Sequence, residues 1–365
     1  MIKSHFTFWF LAISCFTVFS QNESTRYANF QADFFYGFII EHDTSLDAAI
    51  QGNGYGLLLS YNKVNNKNTK FNSLYNYPER GYSFIYENFN STILGEAFGA
   101  YRHYTYNLNP SKKNHLKLTT GFGLGYSTKP YDAINNNQNF AIGSHFLASA
   151  YFKLQYVQLF KDQNLSLNSA INIIHFSNMS FKNPNLGINT LALNIGVNYK
   201  LKPVEVSKKD SVFSLDTTLK YHILLRGGFN QSKVIDSDLY PFFTATFQLG
   251  KTINNFSTLT GGVEYLNAQF LKAYSDHINN KEGQNYPENN ASRVGIFVGH
   301  ELTQNHFSFI TQIGLYVYQP VPYESMIYER FGFHYTLNNH WFAEISMKVN
   351  LFRAEALEFG LGYTF

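Results

Sequence analysis

The 365-residue sequence carries 18% aromatic residues, 36 Phe and 27 Tyr among them, but only 15% charged residues and a formal net charge of +3. That charge is too small to point to nucleic acid, and no nucleic-acid partner is expected. Beyond the N-terminus no stretch approaches the roughly 18 apolar residues of a spanning helix, which excludes a helical membrane protein; many aromatics, Gly and Asn with few charges suit a barrel of alternating faces.

The first element in the chain is a signal peptide over residues 1–20. Lys3 supplies its positive charge, Phe6 to Phe19 its short apolar stretch, and Val18 and Ser20 a small-residue pattern before cleavage at Gln21. Cys15 lies inside that stretch, and Ala12 fits poorly the lipoprotein cleavage that would precede it. Cleavage after Ser20 removes the chain's one cysteine, so the mature protein is expected to have neither disulfide nor thiolate metal site. Strands are then predicted over 28–42, 52–62, 81–89, 93–107, 115–127, 143–159, 164–179 and 188–201, and again over 216–230, 239–253, 257–271, 291–303, 307–319, 324–337, 340–353 and 355–365. Most have about 9–15 residues, which suits tilted spanning strands, and gaps rich in Asn, Gly, Ser and Pro separate them.

The last strand alternates most plainly. Leu357, Phe359, Leu361, Tyr363 and Phe365 share one parity, and Glu358, Gly360, Gly362 and Thr364 the other, which a period of two places on opposite faces. In hydrocarbon every backbone N–H and C=O must be paired inside the protein, so the sheet has to close. The predicted fold class is therefore all-β, an antiparallel transmembrane β-barrel of about 16 strands. Both one large barrel and two tandem eight-stranded units fit. The halves echo each other weakly: Phe122 to Tyr126 ahead of Pro130 resembles Ile313 to Val317 ahead of Pro322. On the two-unit reading the units are 21–201 and 217–365, the second either a degenerate repeat or a set of barrel strands that merely look alike, divided by a linker at 202–216 with Pro203 and the Lys208-Lys209-Asp210 cluster. The chain carries one terminal Phe365, an ending like that by which the barrel assembly machinery recognises outer-membrane barrels, and this tips the reading slightly towards one barrel. With a periplasmic N-terminus odd strands run outward, so 127–143 and 178–187 become external loops. Residues 62–80 make an unusually long periplasmic turn with no evident reason.

Strand seven carries the candidate chemistry. Leu165, Leu167, Ser169, Ile171, Ile173, His175 and Ser177 share the more apolar parity, which should face lipid. On strand eight Asn189 shares the apolar parity of Leu191, Leu193, Ile195 and Val197. Polar and ionisable groups on a lipid face are costly and often functional. His175 and Ser177, two apart on one strand, lie side by side within reach of a tilted hydrogen bond, so the imidazole could take the hydroxyl proton and activate it as a nucleophile. An amide oxygen from Asn189 could hold the other ring nitrogen, completing a nucleophile, base and orienter. The bland alternative is a pair of polar residues at headgroup level. Lys117, Glu96, Arg102 and His103 read as lumen or rim pairs, Arg353 as a snorkelling rim residue or a lipid-phosphate contact, and Glu41-His42-Asp43 as external loop.

The run His175-Phe176-Ser177-Asn178, followed by Asn183-Pro184-Asn185, Gly187 and Asn189, resembles the signature of the outer-membrane lipid A 3-O-deacylases. The resemblance covers about residues 28–201 and implies His175 as base, Ser177 as nucleophile and Asn185 as a donor to the oxyanion, with Asn178 and Gly187 in the same oxyanion and substrate-binding stretch. It departs from the family at Asn189, where those enzymes carry a Glu to orient the His. The spacing of His175, Ser177 and Asn189 also resembles outer-membrane phospholipase A, a family that uses calcium. Between Ser177 and Asn189 there is no carboxylate and Ser180 is the one hydroxyl, so no cofactor is expected and calcium is a minority alternative.

The expected protein is thus an esterase of the Gram-negative outer membrane, releasing an ester-linked acyl chain from lipid A through Ser177 on the barrel exterior. The alternatives are a phospholipase A-like enzyme of the same membrane and a barrel without catalysis, a pore or structural protein. The expected partners are a lipid A or phospholipid substrate of the outer leaflet, the outer membrane and the barrel assembly machinery.

Overall fold

β1 (Arg26–Ile39) is paired on both of its sides, with β2 (Gly54–Val64) and with β8 (Ile188–Val204), in a computed structural model that describes residues 26–64, 70–75, 77–109, 114–160, 164–204, 215–232, 234, 237–304, 306–351 and 353–365. The pairing of β1 with β8 runs from Arg26↔Val204 to Ile39↔Thr190 and leaves no edge between them. Between β2 and β8 the sheet passes in order through β3 (Glu79–Asn88), β4 (Glu96–Asn107), β5 (His115–Ser127), β6 (Phe146–Leu159) and β7 (Leu165–Ser177), and closes as an eight-stranded antiparallel barrel.

A second closed barrel follows. It is built from β9 (Leu219–Asn230), β10 (Tyr240–Thr252), β11 (Ser257–Ala268), β12 (Ser292–Gln304), β13 (Phe307–Tyr318), β14 (Ile327–Thr336), β15 (Trp341–Asn350) and β16 (Arg353–Thr364). β16 returns to β9 with Phe359 opposite Gly227 and Thr364 opposite His222. The leaning towards one large barrel is therefore wrong: once β1 has used both sides on β2 and β8, no edge remains for β9 to join. The proposed signal peptide, and residues 205–214 of the proposed linker, lie outside the described residues.

Alternation builds both walls. Phe30, Phe34, Leu57, Leu59, Leu167, Ile171, Leu193 and Ile195 are exposed on the first barrel, and Ile223, Leu225, Val263, Ile313, Phe359 and Leu361 on the second. Such an apolar exterior with its backbone paired in a closed sheet is what a hydrocarbon solvent selects. In the first barrel Lys153 pairs with Asp33 at 2.7 Å inside the wall, and Gln31 donates to the same carboxylate. Towards the outer end the interior turns apolar. Phe35, Leu58, Phe89, Tyr151, Ile174 and Phe176 pack there with the loop residues Leu46, Ala141 and Ile142. The second barrel is filled instead by ion pairs: Arg226 with Glu344 at 2.7 Å, Arg330 with Glu264 at 2.9 Å and Glu358 at 2.5 Å, and Arg293 with Glu355 at 2.7 Å. The β15/β16 register shifts at Lys348/Val349, so Glu355 and Glu358 are both buried although they lie three positions apart, and Leu357, expected on the lipid face, is buried too.

Two helices stand where the sequence reading has only turns. α1 (Lys70–Leu74) falls in the long β2–β3 connection, with Phe71 buried against the rings of Tyr75, Tyr104 and Tyr106. That packing accounts for the length of 62–80. α2 (Phe270–Glu282) buries Phe270, Leu271, Tyr274 and Ile278 with Phe242, Val321 and Tyr323, at the outer end of the second barrel. The barrels touch at three levels: Tyr75 on Phe256 at 4.6 Å, Phe122 on Phe309 and Phe333 at 6.0 and 5.3 Å, and a set of polar contacts between their outer loops.

Candidate active site

β7 places His175 and Ser177 on the parity of the exposed Leu165, Leu167 and Ile171, while Asn172, Ile174 and Phe176, of the other parity, are wholly buried. His175 and Ser177 are half-buried. Phe176 between them is the anchor: it points inward and meets the ring of Phe89 edge-on at 6.2 Å, so the strand cannot roll without emptying the core.

The register pairs His175 with Asn189 of β8. His175 Nδ1 and Asn189 Oδ1 are 2.8 Å apart. An amide oxygen only accepts, so the proton sits on Nδ1, and Nε2 is left as the basic nitrogen. Asn189 is held in turn by its own backbone, whose carbonyl accepts from Ile40 N at 2.8 Å. Ser177 Oγ has no hydrogen bond among the described residues, so the bond expected between Ser177 and His175 is not made. The two side chains are nonetheless neighbours. A Cβ placed on Gly187 would stand 3.2 Å from His175 Cε1 and 3.4 Å from Ser177 Cβ. Gly187 has φ +76°, which favours glycine, and any side chain there would crowd both residues.

The loop 178–187 leaves β7 after Ser177 and returns at Gly187 beside this pair. Asn178 N–H donates to Asn185 Oδ1 at 2.8 Å, and Asn178 Nδ2 donates to the Lys182 carbonyl at 2.5 Å. Gly187 N–H donates to the Ala141 carbonyl at 2.8 Å, and Leu186 N–H to the Phe140 carbonyl at 3.2 Å. The backbone donors of Asn178 and Gly187 are therefore taken. Asn185 differs: its oxygen is fixed by Asn178, while its Nδ2 is buried and has no hydrogen-bond partner among the described residues. A buried amide N–H without a partner is costly unless something else fills it. Gly143 passes so close beneath the loop that a Cβ there would lie 2.5 Å from the Lys182 carbonyl oxygen.

Two supports escape the sequence reading. His42, taken as plain external loop, donates from Nε2 to the Leu186 carbonyl at 2.9 Å, beside Gly187. The second barrel also reaches the loop. Asn183 N–H donates to Gln231 Oε1 at 2.8 Å, Asn183 Nδ2 to the Ser232 carbonyl at 2.6 Å, and Ser180 Oγ to the Ala354 carbonyl at 2.7 Å. Arg353 bridges the barrels through Asp43 at 2.5 Å, with Glu324 at 3.6 Å. Partial burial works against ionisation of Asp43, but hydrogen bonds from Ser45 and Arg353 outweigh it and hold the carboxyl below its usual value. The other scattered charges are wall residues: Lys117 pairs with Glu79, Glu96 accepts from Tyr86 and Asn88, His103 is buried against Ser83 and Asn62, and Arg102 lies over the Tyr82 ring. Among the described residues no cluster of three His, Cys, Asp or Glu has the arrangement of a metal site.

Solved structures that resemble the chain include mutants of the Rhodopseudomonas blastica porin. A triple mutant is 7% identical, with 93% of this chain and 99% of that one covered at a TM-score of 0.17, and another is 7% identical over the same shares at 0.18; at such scores they carry no argument. No curated protein matches. The family model described as "Lipid A 3-O-deacylase (PagL)" matches residues 55–198, and that described as "Acyloxyacyl hydrolase, C-terminal domain" matches residues 219–365. Between them they span nearly all of both barrels, and the chain belongs to the lipid A 3-O-deacylase family of carboxylic ester hydrolases.

Proposed function

We propose that this protein hydrolyses an ester-linked acyl chain of lipid A in the outer leaflet of a Gram-negative outer membrane, on the exterior of the first barrel. The observation that carries the reading is the 2.8 Å contact of His175 Nδ1 with Asn189 Oδ1, which leaves Nε2 free as a base beside Ser177. Lipid reaches this face by lateral diffusion. His175 Nε2 takes the Ser177 proton as Oγ bonds to the ester carbonyl carbon, and negative charge moves to the carbonyl oxygen. Asn185 Nδ2, the unpartnered donor, meets that oxygen; a donor so placed contributes about 3 kcal/mol to the transition state. The C–O bond to the sugar breaks and His175 returns the proton to the departing hydroxyl. Water, deprotonated by the same nitrogen, then releases the fatty acid from Ser177. Asn178 and Gly187 shape the site, the first by fixing Asn185 and the second by giving way to His175 and Ser177. These steps use this chain's own side chains and no cofactor.

Mass spectrometry of lipid A and phospholipids from cells expressing the wild type or Ser177→Ala tests the reading. Loss of a 3-hydroxyacyl chain from lipid A with the wild type alone is expected. Appearance of lysophospholipid instead would move the substrate to phospholipid, and identical profiles would sink the hydrolase reading.

Asn189 orients the imidazole without offsetting the positive charge it gains. Asn189→Glu supplies that charge at the same register position, and a hydrogen bond to a charged acceptor is worth about 1 kcal/mol more than a neutral one. The expected result is a kcat raised roughly fivefold to tenfold, measured as fatty acid released from lipid A in mixed micelles. An inactive Glu variant would show that the site has been rebuilt around the amide.

A further inference from the structure

In the second barrel the His-x-Ser run His306-Phe307-Ser308, at the start of β13, leaves His306 exposed and turns Ser308 inward against Thr303, so the two do not form a second exterior pair, yet this barrel makes three hydrogen bonds to the loop that follows Ser177. The loop's C-terminal end is secured within the first barrel, by Phe140, Ala141 and His42 acting on Leu186 and Gly187. Its middle is not. Ser180 and Asn183 send their donors across to Ala354 in β16 and to Gln231 and Ser232 in the β9–β10 connection. A cleft of about 180 Å³ between loop and second barrel is lined by Asn183, Asn185, Gln231 and Arg353 among others.

We propose that Gln231 is a positioning residue for ester hydrolysis, and that the second barrel serves the reaction by setting the place of Asn185. Gln231 is suited to this because both ends of its amide are fixed. Nε2 donates to the Ser237 carbonyl at 2.6 Å within the β9–β10 connection, which turns Oε1 towards Asn183 N–H. Asn183 is two residues from Asn185, with Pro184 between them, so a shift at Asn183 passes to the amide whose oxygen is held by Asn178 and whose Nδ2 has no partner. Pro has a fixed φ, which stiffens the connection. Oxyanion donors act through sub-ångström placement, and displacing one costs rate without weakening ground-state binding. The inference rests on the reading of Ser177 and Asn185 given above.

The test is steady-state hydrolysis of lipid A in mixed micelles by the purified full chain. Gln231→Ala is expected to lower kcat roughly tenfold to a hundredfold, with KM within about twofold of the wild type. Asn183→Ala, which removes the bond to Ser232 from the loop side, is expected to act in the same direction. The deciding measurement is a double-mutant cycle. In an Asn185→Ala background Gln231→Ala should cost almost nothing further, because the group it positions is gone. Folding of each variant is checked by resistance of the barrels to unfolding in SDS without heating. A wild-type kcat in Gln231→Ala, a raised KM at unchanged kcat, or full additivity with Asn185→Ala would each overturn the inference while Ser177→Ala stays inactive. Activity surviving in Ser177→Ala would remove the underlying reading, and this inference with it.

Discussion

Ser177→Ala lowers kcat/KM for lipid A hydrolysis by at least roughly 1,000-fold, with both barrels still folded. The size of the effect follows from the role: alanine removes the atom that bonds to the substrate carbon, and neither His175 nor Asn185 substitutes for it. The harmlessness to the fold follows from the position. Ser177 is the last residue of β7, half-buried, paired through its backbone with Ala148, and its hydroxyl has no hydrogen bond among the described residues to lose. His175→Ala should fall about as far, and the double variant scarcely further, because nucleophile and base act as one unit. Fatty-acid release from purified protein measures all three. Retention of more than about a tenth of the rate in Ser177→Ala would place the nucleophile elsewhere.

Strand parity reached far into this site from sequence alone. A period of two suffices to put His175, Ser177 and Asn189 on one parity of neighbouring strands, and the register then sets His175 opposite Asn189. It worked because β7 has its interior marked by Asn168, Asn172 and Phe176 and its exterior by Leu165, Leu167 and Ile171. Parity failed at Leu357, where a register shift reverses the faces over a few residues. Barrel number was illegible for another reason. Closure depends on pairing β1 with β8, partners more than a hundred residues apart, and every spanning strand offers the same kind of edge. α2 was legible in principle, since Phe270, Leu271, Tyr274 and Ile278 follow helical spacing, but its polar remainder reads as turn. The supports of the loop were beyond reach. Nothing local to Gln231, Ser232 or Ala354 marks them as partners of Ser180 and Asn183, because those contacts exist only once two closed barrels stand side by side.

The ion-pair interior of the second barrel yields the other large effect. Arg330 is fully buried and makes five hydrogen bonds, two each to Glu264 and Glu358 and one to Gln312. Arg330→Met fills similar volume but strips both carboxylates of this cation, leaving Arg226 beside Glu264 and Glu344 and Glu358 with the Ser346 hydroxyl. Breaking a buried pair from one side costs about 3–5 kcal/mol, because the abandoned charge stays desolvated. Guanidinium unfolding in detergent micelles measures it. Trp341, on β15, is the one tryptophan outside the proposed signal peptide, so its fluorescence follows the second barrel alone. Arg330→Met/Glu358→Gln should recover part of the loss, since it neutralises one of the stranded carboxylates. If the single variant costs less than about 1 kcal/mol, the interior network is not what holds this barrel together. If it costs the full amount, the two barrels are closed by different means, the first by an apolar outer core around Phe35, Phe89 and Phe176 and the second by charge. The site then sits where packed apolar side chains back the wall from within. Close packing there holds Phe176 fixed between His175 and Ser177, and that immobility is what a base and nucleophile two residues apart on one strand require.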